Sequence, residues 1–104
     1  MRRLILAVFA VGVAALAPSG PALATGAITC EPTPQSSWKS QEVLREKLTK
    51  EGWTVRKSKV DGRCYEVYGT TPEGDRVEAY FHPVTLEKLY VSRRGQVLFR
   101  KQGY

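Results

Sequence analysis

Two short segments near the middle of the chain alternate apolar and polar residues. They cover residues 63–68 and 76–81, and a turn-rich segment, residues 71–75, separates them. Alternation with a period of two is typical of a β-strand that buries one face. The pattern therefore predicts an antiparallel β-hairpin.

Glycines then predict where the strands turn. Residues 60–62, 72–74 and 93–95 each place a glycine at the third position of a three-residue hairpin loop, where the backbone is left-handed. A two-residue turn at Asp61 and Gly62 is the alternative for the first hairpin. We favour the three-residue loop there, because it pairs Val55 with Val67 and Arg56 with Glu66 and keeps the two faces separate.

The same loop geometry sets the other registers. It pairs Val67 with Ala79, Tyr65 with Phe81 and Glu66 with Tyr80, and then Val91 with Val97 and Leu89 with Phe99. One sheet face is therefore expected to collect the apolar residues Val55, Tyr65, Val67, Val77, Ala79, Phe81, Leu89, Val91, Val97 and Phe99, with Trp53 at its rim.

A helix is predicted before these strands. Ser40 is a suitable N-cap, and Val43, Leu44 and Leu48 form an apolar stripe with helical spacing. Gly52 is placed to end the helix in the left-handed conformation. The fold class that follows is α+β, with one N-terminal helix packed on an antiparallel β-meander of four to five strands.

The sheet face away from the helix has two readings. It is either a solvated face held by cross-strand pairs or a recognition surface, since tyrosine mixed with arginine is typical of contact patches. The candidate binding face comprises Arg56, Glu66, Tyr68, Glu78, Tyr80 and Tyr90, together with Arg76.

The first residues have the pattern of a secretion signal. Arg2 and Arg3 precede an apolar stretch over residues 4–16, and a small-residue site predicts cleavage between Ala24 and Thr25. The alternative, a membrane anchor, needs about 20 apolar residues. We therefore expect a protein that is periplasmic or secreted.

The remaining chain divides simply. Residues 25–37 read as a linker that contains Cys30, and residues 38–104 read as one domain with a core over 40–92 and a basic C-terminal hairpin over 93–104.

Both cysteines lie in the part expected to be exported. Cys30 and Cys64 allow one pairing, and a disulfide is the favoured state in an oxidising compartment. The alternative is a redox or metal site. A metal site needs more ligands than two cysteines and the lone His82, and a redox pair usually has the C-x-x-C spacing. The sequence thus predicts a structural disulfide and no metal.

Positive charge is concentrated at the C-terminal end. Residues 25–87 hold nine Lys and Arg against ten Asp and Glu, whereas residues 88–104 hold five basic residues and no acid. This segment is either a solubility feature or a contact for polyanions or anionic membrane surfaces. Nucleic acid is a poor partner for an exported protein. The candidate anion contacts are Lys88, Arg93, Arg94, Arg100 and Lys101.

No catalytic constellation is visible. The single histidine, His82, is predicted to lie on a solvated turn and has no carboxylate partner by spacing. We therefore expect neither enzyme activity nor a cofactor.

An ordered set of turn, core and cysteine positions carries a family resemblance. The set is Cys30, Trp38, Leu44, Leu48, Gly52, Trp53, Val55, Gly62, residues 64–67, Gly74, Val77, Glu78, Phe81, Pro83 and Thr85. It resembles the PepSY domain, in particular small exported proteins that carry a single PepSY-like unit. Many such proteins have aspartate and glycine where this chain has His82 and Leu86.

The resemblance implies a helix-plus-meander domain with cysteines at these two places, which supports the disulfide. It also implies non-catalytic binding outside the cytoplasm, since PepSY units occur in propeptides of secreted metallopeptidases, where they are thought to restrain the protease. The expected partner is an unidentified envelope or secreted protein, and the expected state is a monomer or weak dimer.

Overall fold

The structure is a computed structural model that describes residues 26–104. The predicted secretion signal and its cleavage site, between Ala24 and Thr25, lie outside the described residues.

One helix and five strands follow each other along the described chain. They are α1 (Gln41–Lys50), β1 (Thr54–Asp61), β2 (Cys64–Thr70), β3 (Arg76–Phe81), β4 (Lys88–Arg93) and β5 (Gln96–Arg100), preceded by one 3-10 turn, Gln35–Ser37. The strands form one antiparallel sheet in the order β1-β2-β3-β4-β5. The expected α+β class with a β-meander is confirmed.

The helix begins and ends as its sequence predicts. The side chain of Ser40 accepts a hydrogen bond of 3.1 Å from the backbone N–H of Val43, which satisfies one of the free donors of the first turn. Gly52 has a φ of 99°, and the N–H of Trp53 donates to the carbonyl of Leu48 at 2.9 Å. This is the closing bond of a Schellman cap.

The helix covers one face of the sheet. Its buried side chains, Leu44 and Leu48, pack on Trp53 just before β1, on Leu86 of the β3–β4 loop and on the strand residues Tyr65, Val67, Val77, Ala79, Phe81 and Val91, with Trp38 and Val55 at the edge. The prediction is wrong for Val43, which is 44% exposed because it lies on the outer side of the helix.

The first hairpin has neither of the two predicted registers. Asp61 pairs with Cys64, so the turn consists of Gly62 and Arg63, with φ angles of 61° and 65°. Two consecutive left-handed residues make a type I′ turn, whose twist matches that of the flanking strands. A Cβ on Gly62 would lie 2.5 Å from the carbonyl oxygen of Ile28, and the Arg63 Nε donates to the carbonyl of Cys30 at 2.9 Å.

A β-bulge changes which residues of β1 face the helix. Lys59 rather than Arg56 is the partner of Glu66, and the register shifts between Val55 and Lys57. Arg56 has no partner in β2 and is the extra residue of the bulge. Because of this extra residue, Val55 lies on the face that the helix covers.

The second hairpin is as predicted. Val67 pairs with Ala79, and Glu66 pairs with Tyr80. Gly74 has a φ of 96° and donates from its N–H to the carbonyl of Thr71 at 2.9 Å, which closes the expected loop.

The last hairpin differs from the prediction. Arg93 pairs with Gln96 across a two-residue turn whose members, Arg94 and Gly95, both have positive φ angles. The register also shifts between Val91 and Ser92, so Val91 pairs with Phe99 and not with Val97. The cluster under the helix contains no residue of β5, and Val97 and Phe99 remain 45% and 38% exposed.

A second cluster lies on the sheet face away from the helix. Residues 26–31, which we call the strap, cross this face and bury Ile28 and Cys30 against Cys64, Tyr80, Leu89, Tyr90 and the edge of Tyr104. Leu89 belongs here and not under the helix, because the β3–β4 register shifts between Tyr80 and Phe81.

The disulfide holds the strap in place. Cys30 and Cys64 are bonded, with their Cα atoms 5.4 Å apart. The Cys30 N–H also donates to the carbonyl of Gly62 at 2.8 Å. The N-terminal segment therefore lies across one end of the sheet, on the face opposite the helix.

Removing the disulfide should destabilise the protein strongly. The bond closes a loop of 34 residues, which the chain-entropy model values at roughly 3.5–4 kcal/mol. We expect the paired substitution Cys30→Ala and Cys64→Ala to lower the free energy of unfolding by about that amount. Urea denaturation followed by tryptophan fluorescence measures it, and reductant should change the parent protein but not the variant. Equal stabilities would contradict a structural role for the bond.

Candidate binding cleft

The face away from the helix has one end that the strap covers and one end that is open to solvent. The strap covers the end where β2 begins, and there Glu66, Tyr80 and Tyr90 are buried. Three of the seven residues of the predicted binding face are therefore unavailable to a partner. No local sequence pattern indicates this burial, because the covering residues lie more than thirty positions away.

Tyr80 is a structural residue. Its hydroxyl donates to the Asp61 carboxylate at 2.8 Å, and its ring meets Tyr90 edge to face with centroids 5.9 Å apart. The same Asp61 oxygen accepts the Gly26 N–H at 2.6 Å, and this bond is the main reason that the pKa of Asp61 is lowered. Burial raises the pKa of Tyr80. Asp61 thus joins the strap, β1 and β3.

Glu66 is a buried carboxyl group on the same face. Its side chain is 0% exposed, and within residues 26–104 neither oxygen has a well-formed hydrogen bond, although the Tyr68 hydroxyl lies near enough to interact with it. The Lys59 Nζ lies 3.8 Å from Oε1, at the limit of an ion pair. Burial is the largest influence and raises the pKa of Glu66, while Tyr68 and Lys59 oppose it.

Tyr68 lies between the covered end and the open end of this face. Lys57 and Lys59 place their ammonium groups 5.4 and 5.9 Å from the centre of its ring. Burial and the neighbouring Glu66 raise the pKa of Tyr68 to about 12. Its hydroxyl therefore remains protonated at neutral pH and can donate a hydrogen bond.

The open end forms a cleft of about 300 Å³. We call it the arginine cleft, and its lining consists of Arg56, Tyr68, Arg76, Val77, Glu78, Ser92 and Arg94. Of the predicted face, it brings together Arg56, Tyr68, Arg76 and Glu78.

Local backbone features place the arginines. Arg56 is the bulged residue of β1, and bulges commonly re-aim a side chain. Arg76 begins β3 beside the Thr71–Asp75 loop, and Arg94 projects from the left-handed turn before β5. All three side chains are exposed. Within residues 26–104, none of their guanidinium groups forms an ion pair.

A second pocket of about 440 Å³ continues the cleft past the sheet end. It shares Arg76 and Arg94 with the first and adds Arg93, Gln96 and the Gly74–Asp75 turn. Here Arg93 is neutralised, since its Nη1 lies 2.6 Å from the Asp75 carboxylate. The unpaired positive charge of this region therefore comes from Arg76 and Arg94.

The five predicted anion contacts do not form one patch. Arg93 and Arg94 lie at the turn of the β4–β5 hairpin, whereas Lys88, Arg100 and Lys101 lie at its opposite end. These last three have partners: Lys88 lies over the Phe99 ring, Arg100 lies over the Tyr90 ring and donates to the carbonyl of Tyr104, and Lys101 lies 3.1 Å from Glu87.

The prediction for His82 is wrong. The residue is buried, and its Nε2 lies 2.9 Å from a carboxylate oxygen of Glu31 in the strap. Its Nδ1 accepts backbone N–H groups from Val84 and Thr85 at 3.1 and 3.4 Å. With both ring nitrogens engaged, the histidine fixes the β3–β4 loop to the strap.

Two further features of residues 26–104 bear on the site. No group of three or more His, Cys, Asp or Glu side chains is arranged to hold a metal ion there. In the same range, no helix has the length and apolarity needed to cross a bilayer.

The family comparison decides where this fold belongs. The family model PepSY_2, described as peptidase propeptide and YPEB domain, matches residues 8–90. The chain belongs to the PepSY_2 family. Neither the curated proteins nor the solved structures contain a significant match. The family match contains Arg56, Tyr68, Arg76 and Glu78 and ends before Ser92 and Arg94.

Replacing Glu66 should change how stability depends on pH. Because the folded protein holds this proton more tightly than the unfolded chain, stability is lost as pH rises from the ordinary value of 4.5 through the raised pKa. We expect Glu66→Gln to be more stable than the parent at pH 8, by about 1 kcal/mol, and not at pH 4. Urea denaturation at both pH values measures the difference.

The matched control is Glu78→Gln on the neighbouring strand, where the carboxyl group is only half-buried. It should not show this gain at pH 8. A Glu66→Gln protein that is less stable than the parent at pH 8 would mean that the contact with Lys59 outweighs the cost of burial.

Proposed function

We propose that this PepSY domain is a non-catalytic, exported binding or regulatory module that docks on an envelope or secreted protein through the arginine cleft. The observation that carries the proposal is the division of the sheet face. One end is closed by the strap, and the other exposes three arginines and a tyrosine without internal ion pairs among residues 26–104. Arginine and tyrosine are enriched where proteins bind each other.

Family membership supports a regulatory or binding role. The family description names peptidase propeptides, so restraint of a secreted peptidase is one form that docking takes in this proposal. The disulfide supports an oxidising compartment outside the cytoplasm.

The described side chains also favour binding over catalysis. His82 uses both ring nitrogens in structural contacts, and Glu66 is closed off from solvent. The cleft itself offers positive charge and the Tyr68 hydroxyl, which suit recognition of a partner.

Anionic membrane surfaces are the second candidate. The supporting observation is that the basic residues of the C-terminal segment lie on exposed strands and turns. Lys101 and its partner Glu87 are both at least partly exposed, and a pair of this kind is weak enough to exchange for an external anion.

Site-specific photocrosslinking tests the docking surface. A photoreactive benzoylphenylalanine in place of Arg56 should give discrete crosslinked products in cells that express the full chain, because this position lies in the cleft. The same group in place of Val43, which is exposed on the opposite side of the molecule, is the control and should give none. Products from position 43 alone, or from neither position, would contradict docking through the cleft.

If a crosslinked product contains a peptidase, adding the purified protein should slow that enzyme. The double substitution of Tyr68→Ala with Arg76→Ala should reduce this inhibition of the peptidase. Tyr80 is unsuitable for this experiment because it is buried in the second cluster.

A further inference from the structure

We infer that the arginine cleft recognises carboxylate groups of an acidic, extended segment in the partner protein. This inference rests on the proposed docking function and names the chemistry that the partner presents.

Charge is the first argument. The lining carries three guanidinium groups and one carboxylate, Glu78, so its formal charge is 3 − 1 = +2. Guanidinium groups bind carboxylates with two parallel hydrogen bonds, and this geometry gives specificity as well as strength. The three exposed arginines form no ion pair among residues 26–104, so an incoming carboxylate has no ion pair with them to replace.

Shape is the second argument and favours a segment of chain over a compact anion. The charges come from separated places: the β1 bulge, the first residue of β3 and the turn before β5. Two adjoining spaces of about 300 and 440 Å³ share Arg76 and Arg94 between them. An elongated ligand can occupy both spaces and meet more than one arginine.

The remaining polar groups suit a peptide. Tyr68 keeps its hydroxyl proton, and Ser92 adds a second hydroxyl to the lining. Ser92 is only 2% exposed, so the hydroxyl of the half-buried Tyr68 is the one that a peptide backbone can reach. Glu78 puts a negative charge on the same wall, which opposes a single compact dianion but tolerates a segment whose carboxylates lie beside the arginines.

A peptide with alternating side chains provides the probe. In an extended chain, every second side chain lies on the same side. We would use a fluorescent peptide with four Glu-Ser repeats and a matched peptide with four Gln-Ser repeats. The protein is purified after expression of the full chain, and fluorescence anisotropy at low and high salt measures binding.

The expected result is binding of the acidic peptide that salt weakens, with no binding of the Gln-Ser peptide. The paired change Arg76→Gln and Arg94→Gln should weaken binding about 100-fold, or roughly tenfold for each charge-assisted contact. Both residues are exposed and without ion pairs in the described chain, so circular dichroism should show an unchanged fold.

The matched control is Arg100→Gln with Lys101→Gln. It removes the same charge from the opposite end of the β4–β5 hairpin and should change peptide affinity less than twofold. If the two double variants lost peptide affinity equally, net charge alone would explain the binding, and the inference would be overturned.

Vesicles that contain phosphatidylglycerol form the other arm. If they bind while the acidic peptide does not, the surface recognises anionic lipid and the inference fails. If the peptide fails but position 56 still gives discrete crosslinks, docking stands and only the acidic chemistry is wrong. If position 56 also gives none, the proposed function fails as well.

Discussion

The bond between Cys30 and Cys64 determines which surface this domain can offer. It fixes the strap to the sheet, and two polar contacts, Cys30 with Gly62 and Gly26 with Asp61, continue the attachment. A single helix leaves the other face of a small sheet without cover, and the strap supplies a second apolar cluster there. Burial at one end of that face leaves the arginine cleft at the other.

Much of the fold could be predicted because its signals are local. The cap at Ser40, the left-handed Gly52 and the loop at Gly74 each depend on a few neighbouring residues. The alternation of β2 and β3 placed Val67 under the helix and Glu66 on the opposite face, as the structure shows. That alternation predicts the face of a residue but not its exposure, since exposure depends on the distant strap.

The two wrong registers share one cause. Glycine was expected at the third position of a three-residue loop, but both turns use an arginine and a glycine as consecutive left-handed residues. Arg63 is held in this conformation by its bond to the carbonyl of Cys30, a contact between distant parts of the chain. Arg94 also has a positive φ angle, and its side chain lines the cleft. Three of the strand pairings also contain a register shift, including the one at Arg56. A strict alternation of apolar and polar residues does not predict such shifts.

The meander has a consequence for the order of folding. Every strand pairs with its neighbour in sequence, so hairpins can form from nearby segments at little entropic cost. The strap, in contrast, must return across 34 positions to reach its partner. Closing this longer loop costs more chain entropy than forming any one of the hairpins. We therefore expect the disulfide to form after β1 and β2 have paired, when the Gly62–Arg63 turn already holds Cys64 beside the strap.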